Sequence, residues 1–132
     1  MKPRIEILFA LIVLAGLLAA IGGVAYAQEI HAGGYQQQSG EDLYKGICQG
    51  CHMPDAKGAI GAGTYPALAN NIRLKAEIYP ITVVINGQRA MPNFGADLSD
   101  EQIASVINYV RTHFGNDYKN VVSPAAVKAL RR

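Results

Sequence analysis

Apolar residues are distributed unevenly along the chain, and their spacing predicts helices. Every residue from Ile7 to Ala27 is apolar or Gly. Further on, five apolar residues recur at helical period and form one stripe: Ile103, Val106, Ile107, Val110 and Phe114. Ser99 and Gln102 have the spacing of a capping box, and Gly115 provides a stop signal. The pattern therefore predicts a long amphipathic helix over residues 100–114.

Two further helices are predicted from their start signals. Ser39 precedes two acidic residues, which suit a helix N-terminus, and a helix follows that carries the first cysteine at its end. Near the C-terminus, Ser123 is a candidate cap and Pro124 a candidate first helical residue. We therefore expect residues 117–132 to form a tail that contains a short helix and packs on the domain or on a partner.

The segment Ile78–Asn86 is ambiguous on pattern alone. Its β-branched residues favour a strand, and Asn86-Gly87 is a hairpin signal. However, no convincing partner strand follows. The alternative is a helix with Pro80 in its first turn and Gly87 at its end.

The N-terminal segment is interpreted as a secretory signal. Lys2 and Arg4 form a basic start, an apolar core follows, and Ala25 and Ala27 are small residues at the positions read by a signal peptidase. Residues 1–27 would then be removed. The alternative is a retained anchor, since the apolar run is long enough to span a bilayer. Residues 28–40 are polar, with consecutive glutamines and glycines, and are expected to form a flexible lead.

Composition excludes several classes of protein. The chain has 132 residues and a formal net charge of +2. Its length allows one small domain and excludes a large α/β enzyme. The near-neutral charge excludes a phosphate-binding strip built on net basicity, so we expect no nucleic-acid partner. The core of so small a domain is thin, and a bound cofactor could fill it.

The sequence Cys48-Gln49-Gly50-Cys51-His52 is the C-x-x-C-H signature of covalent haem c attachment. Two thiols at this spacing can bond the two vinyl groups of one porphyrin, and His52 then lies under the iron. The motif has three alternative interpretations. A thioredoxin-like site needs a βαβ unit, a disulfide leaves His52 unexplained, and a zinc site needs ligands that the isolated His31 and His113 do not provide.

A six-coordinate iron needs a second axial ligand. Met53 directly follows His52 and cannot reach the opposite face of the haem. His113 falls near the end of the long predicted helix, and His31 falls in the lead. Met91 lies beside Pro92 in an irregular segment that could present its sulfur to the iron. We therefore expect His52 and Met91 to be the iron ligands.

With these motifs, the chain resembles a class I mono-haem cytochrome c over residues 41–116. The resemblance rests on the attachment motif, the Tyr65–Leu68 run, the Asn86-Gly87 and Ala90–Pro92 segments, and a capped C-terminal helix. It implies an all-α fold of three to five helices around one covalently bound haem c, and it implies that 78–86 is helical.

The resemblance also implies roles for single residues. Gly46 matches the small residue where the terminal helices cross, and Tyr109 matches the aromatic residue that rests on it. Pro66 matches the prolyl carbonyl that accepts the N–H of the proximal histidine. Tyr65 or Arg89 are candidates to contact the haem propionates. The sequence departs from the family in lacking Trp and in having Met53-Pro54 where a Gly often stands.

Iron held by His and Met has no open coordination position, which suits one-electron transfer and not catalysis. We therefore expect an electron carrier in the periplasm, or anchored to the periplasmic face of the inner membrane if residues 1–27 are retained. The tail resembles those of cytochrome subunits that serve periplasmic dehydrogenases, and a terminal oxidase is a further candidate partner. The alternative function is a five-coordinate haem protein that binds small gases or peroxide.

Overall fold

Four helices and a two-stranded hairpin make up the part of the chain that the computed structural model describes, residues 34–61 and 63–131. Helix α1 is one rod made of Gly40–Leu43, a π-helical turn Tyr44–Cys48 and Gln49–His52. The other elements follow in chain order: β1 Ala59–Ile60, β2 Thr64–Tyr65, a 3-10 turn Ile72–Lys75, α2 Ile78–Asn86, α3 Asp100–Thr112 and α4 Pro124–Leu130. The predicted all-α fold is confirmed. The predicted signal or anchor and His31 lie outside the described residues.

Helix α1 begins where the sequence predicted. The Ser39 side chain accepts a hydrogen bond from the backbone N–H of Asp42 at 3.0 Å, and Glu41 and Asp42 lie in the first turn. Leu43 and Tyr44 are fully buried, so one face of the helix packs into the core. The opposite end of the rod carries the cysteine motif.

Helices α1 and α3 approach most closely at Gly40. A Cβ atom there would meet the backbone carbonyl oxygen of Ser105 and would lie 2.7 Å from the Cβ of Tyr109. Gly46, which the resemblance assigned to this crossing, is exposed, and a Cβ there would lie 3.4 Å from the side chain of Gln37. The assignment to Gly46 was therefore wrong, because the face of α1 turned toward α3 carries Gly40 instead. Tyr109 does lie at the crossing, as expected.

An aromatic cluster continues this crossing toward the end of α3. The ring of Tyr44 lies 5.8 Å from that of Tyr109 and 4.9 Å from that of Phe114. The rings of Tyr109 and Phe114 are perpendicular at 5.6 Å, a geometry that aromatic pairs favour. These contacts fix the angle at which α1 crosses α3.

Helix α3 forms the centre of the core. The Ser99 side chain accepts from the Gln102 backbone, and the Gln102 side chain accepts from the Ser99 N–H, so the predicted capping box is present. Four members of the predicted stripe are buried: Ile103, Val106, Ile107 and Val110. The helix ends at Thr112, two residues before the predicted end.

Helix α2 confirms the helical reading of Ile78–Asn86. Pro80 lies within its first turn, and Gly87 follows its last residue with φ of 73°. Pro80, Ile81 and Ile85 are buried against the core. The β propensity of the sequence yields here to packing, since a single strand at this place would have no partner.

Both flanks of the predicted domain are bonded to α3. The amide of Gln102 donates to the carbonyls of Tyr35 and Gln37 at 2.6 and 2.8 Å, so the described end of the predicted lead is held in place. After α3, Asn108 exchanges two hydrogen bonds with the backbone of Val122. Val122 and Val127 are fully buried. The tail therefore packs on the domain, which is one of its two expected positions.

Arg111 is fully buried on α3 and has no carboxylate among its hydrogen-bond partners in the described chain. Its guanidinium donates to the carbonyls of Leu74, Lys75 and Asn120 and to the side-chain oxygen of Asn120, at 2.5 to 3.2 Å. The ring of Tyr118 lies 5.9 Å from the guanidinium carbon. Arg111 thus ties the 3-10 turn to the start of the tail.

Across residues 34–61 and 63–131, none of the helices has both the length and the apolar character that crossing a bilayer requires.

The close approach at Gly40 yields a prediction about stability. Gly40→Ala should lower the free energy of unfolding by about 3 kcal/mol, because the added methyl group forces α1 away from α3. Gly46→Ala is the matched control on the same helix. It should change stability by at most about 1 kcal/mol and toward greater stability, because Ala is the better helix former.

Urea unfolding of the haem-loaded proteins, followed by circular dichroism, measures both changes. A larger loss for Gly46→Ala than for Gly40→Ala would contradict the assignment of the crossing.

Candidate functional site

Cys48, Cys51 and His52 lie together at the C-terminal end of α1. The two cysteines are three positions apart on a helix, so their thiols share one side of it. Cys48 is half-buried, Cys51 is exposed, and the two sulfurs are not bonded to each other. His52 is only 8% exposed. The motif therefore presents two thiols next to one buried imidazole.

The ring of His52 is oriented by a hydrogen bond to Pro66. Its Nδ1 lies 2.9 Å from the Pro66 carbonyl oxygen. A carbonyl oxygen only accepts, so Nδ1 must carry the hydrogen, and in the neutral imidazole Nε2 then has the free lone pair. This is the tautomer that a metal-binding histidine needs, and such a partner raises the basicity of the ligand nitrogen. The structure thus brings together the two residues that the resemblance had paired.

The segment between His52 and Pro66 folds back on itself to make this contact. The N–H of Gly58 donates to the carbonyl of His52 at 3.1 Å. Gly58 has φ of 68°, and a Cβ there would meet the Tyr65 carbonyl oxygen and lie 2.8 Å from the Pro66 carbonyl carbon. The short β1–β2 pairing closes the loop. Gly58 is therefore needed for the Pro66 carbonyl to reach the imidazole.

Met53 occupies a backbone conformation that side chains rarely adopt. Its φ is 67° and its ψ is 158°, a region used almost only by Gly. It follows the last residue of α1, where Gly is the commonest residue. This conformation explains why a Gly often stands here in the family.

Tyr44 supports the turn at Met53. Its hydroxyl donates to the Met53 carbonyl at 2.7 Å. Burial, with a smaller contribution from Cys48, raises the pKa of Tyr44 to about 12, so the phenol stays protonated and remains a donor at neutral pH.

The pKa of the Cys48 thiol differs from that of the attacking thiol in a redox-active pair of cysteines. Burial, and then the proximity of Cys51, raises its pKa to about 11. Attacking thiols of disulfide-exchange sites have lowered pKa values. In the described part of the chain, no group of three or more His, Cys, Asp and Glu side chains could hold a metal ion.

Met91 lies on a separate element from His52. It is half-buried in the turn after α2, where its backbone N–H and carbonyl both bond to Gln88 at 3.0 and 3.1 Å. Gly87 permits this turn, because a Cβ there would lie 2.6 Å from the Met91 carbonyl oxygen. Arg89 has φ of 56°.

The remaining candidates lie at the surface. Arg89 is exposed, and so is Tyr65, with 41% of its surface accessible. His113 is exposed, stacks on the ring of Tyr109 at 4.2 Å and donates from Nδ1 to the Tyr109 carbonyl at 2.8 Å. It caps the end of α3. The contacts of Tyr65 and Arg89 with haem propionates stay predictions.

A haem fits the residues that are present. Nε2 of His52 is a soft nitrogen donor with a fixed orientation, and the two neighbouring thiols are available for thioether bonds. Helix α2 is apolar around most of its circumference, yet Tyr79, Val83 and Val84 are only half-buried and Ile78 is 58% exposed. Helices with this character are normally covered on all sides. A flat apolar group would cover such side chains.

Comparisons with known proteins agree with this geometry. The family model described as cytochrome c oxidase, cbb3-type, subunit III matches residues 36–110. The fructose dehydrogenase cytochrome subunit of Gluconobacter japonicus is 36% identical over 108 residues, which cover 70% of this chain and 22% of the relative. The gluconate 2-dehydrogenase cytochrome c subunit of Pantoea cypripedii is 32% identical over 111 residues, 75% of this chain and 25% of the relative. Cytochrome c6 of Diacronema lutheri is 34% identical over 83 residues, 58% of this chain and 95% of the relative.

The chain therefore belongs to the family of cytochrome c domains that this model describes. It is a class I c-type cytochrome whose cofactor is covalently bound haem c, with iron, and whose function is electron transfer. The chain spans only about a quarter of the length of the dehydrogenase subunits that it matches.

Sequence reasoning missed Gly58 and Tyr44. Gly58 has a local signal, because it is one of several glycines in a loop that must turn back, but the sequence does not show which of them lies against Pro66. Tyr44 looked like one more apolar residue of α1. Its hydroxyl partner, nine residues on, becomes visible only once the turn at Met53 is known.

The backbone at Met53 yields a second prediction. Met53→Gly should be more stable than Met53→Ala by roughly 1–2 kcal/mol, because both variants lose the same side chain and only Gly adopts this conformation without strain. Guanidinium unfolding of the two haem-loaded variants measures the difference. Equal stability of the pair would show that the backbone at this position is unstrained.

Proposed function

We propose that haem c is bonded through Cys48 and Cys51, with His52 and Met91 as the two iron ligands. The observation that carries the proposal is the His52–Pro66 hydrogen bond, which leaves Nε2 free beside the two thiols of the attachment motif. When bound, the haem would reversibly accept and release one electron at its iron. Cys48 and Cys51 fix the porphyrin to α1, so that the small domain does not have to enclose it completely.

Each protein group then has a definite part. Pro66 keeps the His52 ring in one orientation and tautomer, and the hydrogen bond strengthens the nitrogen as a donor. Met91 would hold the iron through its thioether sulfur, which would keep water and small gases from the iron and would favour the reduced state. Because neither ligand has to move, the electron can enter and leave with little rearrangement. Tyr65 and Arg89 are proposed to contact the propionates.

We propose a dehydrogenase as the electron donor. The relatives named as fructose, alcohol and gluconate dehydrogenase cytochrome subunits support this source, and a terminal oxidase is the second candidate partner. The lysines are scattered over the described surface at residues 45, 57, 75, 119 and 128. Docking should therefore be weakly steered by charge and partly apolar.

The proposed organisation places the domain outside the cytoplasm. Residues 1–27 act as an export signal or a retained anchor, 28–40 lead into the domain at 41–116, and 117–132 form the tail. The proposed location is the periplasm, or the periplasmic face of the inner membrane if the anchor is retained.

Substitution of Met91 tests the ligand set. Met91→Ala should abolish the sulfur-to-iron charge-transfer band of the ferric protein, lower the reduction potential by on the order of 100 mV and allow carbon monoxide to bind the ferrous form. Met53→Leu is the matched control, because it removes the other described methionine sulfur, directly beside His52. It should change none of the three readouts.

An unchanged band and unchanged carbon monoxide binding in Met91→Ala would instead support the alternative function, a five-coordinate haem protein that binds gases or peroxide.

Intact-mass spectrometry of the exported protein tests attachment and processing together. The expected mass is that of residues 28–132 plus one haem. Cys48→Ser with Cys51→Ser should yield only the bare polypeptide. A wild-type protein at its bare mass, obtained with the haem-attachment machinery present, would overturn the proposed cofactor site.

A further inference from the structure

The turn that carries Met91 is bonded to the end of α2. After Met91 the chain runs back along this helix, where Phe94 N–H donates to the Val84 carbonyl at 2.9 Å and Gly95 N–H donates to the Ile85 carbonyl at 3.2 Å. These carbonyls belong to the last turn of the helix, which lacks intrahelical partners. The position of Met91 therefore depends on how firmly residues 94 and 95 are held.

Arg131, which follows α4, bonds the other side of the segment that contains Gly95. Arg131 donates from its guanidinium to the carbonyls of Gly95 and Leu98 and to the carboxylate of Asp100. The Leu98 bond is 2.7 Å long. Gly95 thus donates to α2 through its N–H and accepts from Arg131 through its carbonyl. A Cβ at Gly95 would lie 2.7 Å from the Ile85 carbonyl oxygen, so the segment is pressed against the helix.

Arg131 is presented by a rigid support. It follows α4 directly, and its own N–H donates to the Lys128 carbonyl at 3.2 Å. Val127 is fully buried, and the Ser123 side chain caps the start of α4. The guanidinium is itself partly buried, with 28% of the side chain exposed, so its hydrogen bonds are formed with limited competition from water.

The three acceptors match the three nitrogens of a planar guanidinium group. Nε bonds to Asp100, one terminal nitrogen to Gly95 and the other to Leu98. A lysine at this position would carry the same charge on a single nitrogen and could not bond all three acceptors at once. Asp100 also lies in the first turn of α3, so the guanidinium joins the start of that helix to the segment behind Met91.

We propose that Arg131 is a positioning residue for Met91 and holds in place the loop that would bring the Met91 sulfur to the iron. The inference rests on the proposed ligand set. Residue 131 lies beyond the 36–110 stretch that the family model matches. In this chain, Arg131 of the tail therefore holds the segment that follows Met91 through its bonds to Gly95, Leu98 and Asp100. These bonds are called the latch below.

Imidazole competition on the ferric haem protein tests the latch. Imidazole binds only when Met91 leaves the iron, so its apparent affinity scales with the population of the open loop. Arg131→Gln should raise the apparent affinity about tenfold, as expected from the loss of hydrogen bonds to a charged group. Lys128→Gln removes one charge from the same short helix at an exposed position and should leave the affinity unchanged. Arg131→Lys should fall between wild type and Arg131→Gln.

Global destabilisation is separated from loop opening by a second variant. Val110→Ala creates a small cavity in the buried core and lowers overall stability. At equal loss of stability, Arg131→Gln should bind imidazole several-fold more tightly than Val110→Ala. If the two variants bind it equally, the latch is refuted and Arg131 is merely structural.

Met91→Ala separates failure of the latch from failure of the ligand set. If this variant binds imidazole no better than wild type, Met91 is not the ligand, and both proposals fail. If it binds imidazole more tightly while Arg131→Gln behaves like Lys128→Gln, the ligand set stands and the latch alone is overturned.

Discussion

The contact of two helix backbones at Gly40 is the constraint on which the rest of the structure depends. Helix α1 carries the cysteine motif, and α3 carries most of the core. Without a side chain at Gly40, the backbone of α1 can approach the carbonyl of Ser105 directly. The aromatic cluster around Tyr44 then fills the angle between the helices. The position of the attachment motif relative to the core is therefore set by a residue twelve positions before His52.

The loop that follows α1 is also conformationally restricted. Met53 and Ala56 both have positive φ, and Ala56 is fully buried. The Ala56 carbonyl accepts from the N–H groups of Leu68 and Ala69 at 2.8 and 2.9 Å, which ties the loop to the chain that follows Pro66. Unfavourable backbone conformations persist only where the surroundings enforce them. The imidazole of His52 thus takes its orientation from a loop that has little freedom to relax.

The sequence predicted local features well and distant ones poorly. The capping box at Ser99 and the attachment motif are both encoded within a few residues, and both could be read directly. Gly40 and Gly46 are equally plausible at the crossing, because choosing between them requires the rotation of α1 about its axis. No local signal marks Arg111 or Arg131 as structurally important. Their acceptors are mostly backbone carbonyls more than thirty positions away, which no residue pattern marks.

The π-helical turn at Tyr44–Cys48 interrupts the regular α-helical geometry of α1 between Gly40 and the cysteine motif. The π-helical turn contains one residue more than a turn of α-helix. In a regular α-helix, one additional residue would instead rotate everything after it by about 100° about the helix axis. A chain one residue shorter between Leu43 and Cys48 could form an unbroken α-helix with the motif at nearly the same azimuth relative to Gly40. The widened turn thus accommodates one additional residue locally, and a chain with one residue fewer between the crossing glycine and the first cysteine would still direct the thiols the same way.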